Sequence, residues 1–82
     1  MPALETNFML QEIELRIQKL SDLSDEEMRM VNFEWLLGRI YELRSLYHFF
    51  QQHQTIYGGD GYTHKNIDDL IIRPEIRLRF GI

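Results

Sequence analysis

The chain has no cysteine, two prolines and a single tryptophan among 82 residues. Without cysteine there is no disulfide, no thiolate metal site and no cysteine nucleophile. A domain of this size buries a modest fraction of its surface, so the missing staples point to association as the supplement to its core. No apolar run approaches the roughly twenty residues of a membrane span. Residues 1–10 hold no basic residue and no continuous apolar stretch, so no secretory signal is read and a cytoplasmic protein is expected. Basic charge is also in short supply. The net charge of −4 argues against nucleic acid as the main partner, because phosphate contacts need a basic surface.

What is present is apolar and helical. Hydrophobic residues make up 44% of the chain and aromatics 12%, the proportions of a folded protein. Residues 24–54 dominate. Ser24 precedes Glu27 at capping-box spacing, Leu23 and Met28 flank the box as a hydrophobic staple, and Asp25, Glu26 and Glu27 suit the positive end of a helix dipole. No proline follows until Pro74, and Phe33, Leu36, Leu37, Ile40, Leu43, Tyr47 and Phe50 recur at three- and four-residue steps. One long helix over 24–54 is therefore expected. Gly38 falls inside it, which a close helix crossing or mere tolerance would explain. Trp35, Tyr41, Leu46 and Phe49 lie beside or behind the stripe. Trp35 reads as core or dimer interface, and Leu46 and Phe49 as partner surface.

Before it, Leu10, Ile13, Ile17 and Leu20 mark a shorter helix over about 6–20, capped by Thr6 or Asn7, with Phe8 and Leu15 off the stripe. The connector 21–23 is so short that the second helix must fold back on the first as an antiparallel hairpin. The short helix cannot cover the long one, so the region from Tyr41 to Phe50 needs cover from the tail or from another chain. Gly58, Gly59 and Gly61 break the pattern, which divides residues 1–57, the hairpin, from residues 58–82, an arm of the same single domain. Within the arm, residues 66–72 fit a short helix. Beyond Pro74, the alternation of Ile76, Leu78, Phe80 and Ile82 with Arg77, Arg79 and Gly81 reads as one extended strand. Arg73, Arg77 and Arg79 form a small basic tail that either contacts a partner or makes a solvated strand face.

Nothing in the pattern spells catalysis. His48 and His53 stand five apart, out of line for a helical metal site, and His64 is remote from both. Ser21, Ser24 and Ser45 lack a glycine-framed elbow. Asp60, Asp68 and Asp69 lack the ligand alternation of a calcium loop, and the Gly58–Gly61 turn lacks the lysine of a phosphate loop. Neither an enzyme nor a cofactor is expected.

Phe8, Leu10, Ile13, Ile17, Gln18, Leu20 and Ser21 fall at the relative spacings of a phenylalanine, leucine, apolar, apolar, glutamine, apolar, serine run found in the small NblA-type phycobilisome-degradation proteins of cyanobacteria and red-algal plastids. Leu36, Leu46, Tyr47, Phe49, Phe50 and His53 resemble that family's second helix, so the resemblance covers residues 4–54. It departs in a longer connector, in Gln52 where a lysine is usual, in Arg44 as a partial echo of an arginine-glutamate pair, and in residues 58–82, which lie outside the family pattern. The resemblance implies an all-α homodimer of hairpins, a four-helix assembly. It also implies an adaptor that binds phycobiliprotein subunits and brings a Clp-type protease to them. The expected contact surface is Leu46, Tyr47, Phe49, Phe50, Gln52 and His53, with Arg73, Arg77 and Arg79 beside it. Two alternatives are a small phage or mobile-element inhibitor of a host protein, and a structural subunit that donates its tail strand to a neighbour.

Overall fold

A computed structural model describes residues 3–56 and 66–82, with side chains described for residues 7–52 and 66–82. The described residues form α1 (Ala3–Ser21), α2 (Asp25–Met30), α3 (Phe33–Ile56), a 3₁₀ turn (Ile67–Leu70) and α4 (Pro74–Phe80), with no strand among them. Helix α1 starts at Ala3, about one turn before the expected cap at Thr6 or Asn7.

The single long helix expected over 24–54 is two helices. Helix α2 opens as its sequence predicts: the Glu27 backbone N–H donates to Ser24 Oγ, and the Ser24 N–H donates to Glu27 Oε1. It closes at Val31, whose backbone is extended. Asn32 then starts a new helix, with Oδ1 accepting from the Trp35 N–H at 3.1 Å. An asparagine side chain offers the backbone a local acceptor, and here that competes with continuing the helix. The break lets Met28 and Val31 pack partly against the core before α3 sets off along α1.

Helices α1 and α3 lie along each other in reverse order. Leu20, near the end of α1, shares a groove with Trp35 and Arg39, near the start of α3; Phe8 and Met9 share another with Leu46. Leu10, Ile13 and Ile17 of α1 meet Leu36, Ile40, Leu43 and Tyr47 of α3 in the core, joined by Ile67, Ile71 and Ile76 from the tail. Burial at this level is worth about 1.5–3 kcal/mol for each large aliphatic side chain. The molecule is a rod with extents of 42 × 21 × 18 Å.

The tail segment expected as a strand is helix α4. Pro74 occupies its first turn, and Gly81, with φ +72°, caps its end in the left-handed region where a Cβ is costly. The Gly81 N–H donates to Leu78 O, and the Ile82 N–H to Arg77 O, which closes the cap. In a strand Leu78 would share a face with Ile76. Here Ile76 is fully buried and Leu78 is 80% exposed, the outcome of a helical turn. The tail supplies part of the cover expected for the region from Tyr41 to Phe50: Ile67, Ile71 and Ile76 share the core with Leu43 and Tyr47, while Tyr41, Leu46 and Phe49 stay exposed.

Candidate functional site

Among the described residues, the tail covers one side of the α1–α3 pair and leaves the other side uncovered. On the covered side, Ser21 Oγ accepts from the Ile72 N–H at 2.6 Å and the Arg73 N–H at 3.4 Å, tying the end of α1 to the tail. Arg44 of α3 donates to Asp68 at 2.8 Å while its guanidinium lies 5.0 Å from the centre of the Phe80 ring.

On the open side, two shallow concavities follow the seam between α1 and α3. One of about 430 Å³ is lined by Arg16, Lys19, Leu20, Trp35, Arg39 and Leu43. The other, about 450 Å³, runs on past Leu43 and the Glu12 carboxylate to Ile13, Met9, Phe8 and Leu46. Arg16 and Leu43 line both, so the two form one continuous apolar groove with a cationic end. Trp35 is 54% exposed and Phe49, one turn beyond Leu46, is 61% exposed. Exposed apolar side chains that line one surface are candidates for recognition in a way that scattered ones are not.

The expected contact residues divide between these two sides. Leu46 and Phe49 are exposed at the apolar end of the groove, Gln52 is exposed further along α3, and Phe50 is half-buried with its ring edge against Phe49 at 5.6 Å. The side chain of His53 lies outside the described residues. Tyr47 belongs to the core: it is 1% exposed, and its hydroxyl donates to buried Glu14 at 2.9 Å. A phenol in an apolar stripe reads equally as surface or core until its partner is known, and that partner is on the other helix.

Each of the three tail arginines has a partner within the chain, and Arg79 remains half exposed. Arg73 donates to Asp25 at 2.9 Å, to Glu75 and to the Leu23 carbonyl. The Asp25 hydrogen bond, and then its charge and that of Glu75, raise the Arg73 pKa, so this cation stays charged throughout the accessible pH range. Arg77 donates to the carbonyls of Asp68 at 3.0 Å and Ile71 at 2.9 Å, stitching the 3₁₀ turn to α4. Arg79 pairs with Glu34 at 3.1 Å and lies over the Phe33 ring. They form neither a strand face nor a free basic patch.

Sequence reasoning missed the α1 half of the groove. Phe8 was visible as an off-stripe apolar residue, but only the packing of α1 on α3 brings it, with Met9, alongside Leu46. Trp35, expected in a core or dimer interface, lies outside the core and is the exposed wall of the cationic end. Among the described residues, no three histidine, aspartate or glutamate side chains gather into a metal-binding group, and no helix is long and apolar enough to cross a membrane. Comparison with protein-family models, with curated proteins and with solved structures returns no match to this chain.

Proposed function

We propose that the protein is a non-enzymatic, cytoplasmic protein-binding adaptor built on an antiparallel α1–α3 hairpin, with the face opposite the tail as its docking surface. The observation that carries this reading is the continuous apolar groove from Trp35 to Phe8 and Leu46, left uncovered among the described residues while the tail packs on the other side. Recognition of this kind needs apolar anchors seated in a groove and polar neighbours to set orientation; no reacting group is required.

The sharpest version of the reading is the NblA-like one suggested by residues 4–54: phycobiliprotein subunits as cargo and a Clp-type protease as the destination. Leu46, Phe49 and Gln52 are the residues of that expected contact which face solvent. A homodimer forming a four-helix assembly would have to use the same open face, since the tail already occupies the other, so a second copy is a competitor for the groove. The experiment is retention of purified phycobiliprotein subunits on immobilised full-length chain, compared with a Leu46→Asp, Phe49→Asp double variant of unchanged helicity. Retention by the parent alone supports the reading; failure of the parent to retain them rejects the phycobilisome version.

A further inference from the structure

We infer that the occupant of the open groove is an amphipathic helix of another protein whose apolar stripe is flanked by carboxylates, which meet Arg16, Lys19 and Arg39. The inference rests on the protein-binding reading above and adds the chemistry of the partner.

Three features of the groove select such a helix. Its Trp35 end is lined by three cations and no carboxylate, on a chain whose net charge is −4. Those cations keep donors in hand. Arg16 uses Nε on exposed Glu12 at 3.1 Å, Arg39 has Glu42 at 3.9 Å, and Lys19 has no ion pair among the described residues. The groove between two helices also has the shape of a third. From Phe8 to Leu20 it spans about 18 Å, three helical turns, enough for anchors at i, i+3 or i+4 and i+7.

A second copy of the chain fits this groove less well. Arg16 lines both concavities and so sits at the middle of the face. A two-fold pairing sets the middle of a patch against itself, and Arg16 with its Glu12 partner lies there. Such a copy brings to the three cations a groove with one carboxylate, Glu12, already held by Arg16, whereas a different helix can carry a carboxylate for each.

The test uses the full chain and two synthetic helical peptides with the same leucine stripe, one flanked by glutamates and one by lysines. Trp35, the only tryptophan, reports occupancy by a blue shift of its fluorescence as it leaves water. The expected result is binding of the glutamate peptide on the order of ten-fold tighter than the lysine peptide, the gap narrowing as salt rises. The overall negative charge draws the lysine peptide, so a preference for glutamate reports the groove itself. Arg16→Gln, Lys19→Gln and Arg39→Gln together should abolish the preference while leaving apolar binding in place. Equal binding, or preference for lysine, overturns the inference and leaves the docking face standing. Failure of both peptides also overturns it; if the mass in solution then doubles with concentration as Trp35 becomes protected, a second copy is the occupant. Phycobiliprotein retention judges the adaptor reading separately.

Discussion

Ser21 is fully buried, and its hydroxyl is the acceptor for two tail N–H groups, those of Ile72 and Arg73. Removing that oxygen would take the acceptor from two part-buried N–H groups, a cost of about 1 kcal/mol. Ser21→Ala should therefore lower stability by that amount, read as a lower denaturant midpoint, and loosen the tail, seen as faster amide exchange at Ile72 and Arg73. Exchange unchanged at those two amides would show that the hydroxyl does not hold the tail. Buried Glu14 depends likewise on a remote partner, the Tyr47 hydroxyl at 2.9 Å. Neither role was legible in the chain, because a hydroxyl or carboxylate at a stripe position acquires its meaning from a group 33 to 51 residues away. The Ser24–Glu27 box was legible, since both partners sit within one helical turn.

At the scale of elements, Gly38 separates propensity from packing. A Cβ built there meets no atom within 4 Å, so no close crossing requires the glycine. Gly38→Ala should stabilise the protein by up to about 1 kcal/mol, read as a raised denaturant midpoint at constant slope. A lower midpoint would reveal a neighbour at that turn. Helix α4 shows how a short segment can mislead. Ile76 to Ile82 alternates with the period of a strand, yet Pro74 at the start and Gly81 at the end are the asymmetric punctuation of a helix. The break at Asn32 was missed for a related reason. The apolar stripe continues across it, and only the capping capacity of asparagine marked the change of direction.

For the whole molecule, the tail and the α1–α3 pair share one core. Ile76 is fully buried against residues contributed by both helices and the 3₁₀ turn. Ile76→Ala should cost about 2–4 kcal/mol, a large share of the 5–15 kcal/mol typical of a small domain, and it should shift a single cooperative transition. Two separate transitions by circular dichroism and Trp35 fluorescence would show that the tail folds as an independent unit. Covering α3 from within also changes what association is for. Leu43 and Tyr47 are buried within one chain, and apolar surface remains exposed from Trp35 to Leu46.

By itself the sequence determined the helical class, the two apolar stripes that become the core and the cap at Ser24, because periodicity and capping act over one or two turns. It also exposed Leu46 and Phe49 as residues beyond the main stripe. Only the tertiary structure decided where the long helix breaks, that the tail is helical, that Tyr47 serves the core and the tail arginines pair within the chain, and which flank of the α1–α3 pair the described residues leave uncovered. A stripe specifies how wide a helix's apolar face is. Which part of that width is covered depends on where distant segments dock, and here Ile67, Ile71 and Ile76 close one flank and leave the Trp35–Leu46 groove on the other.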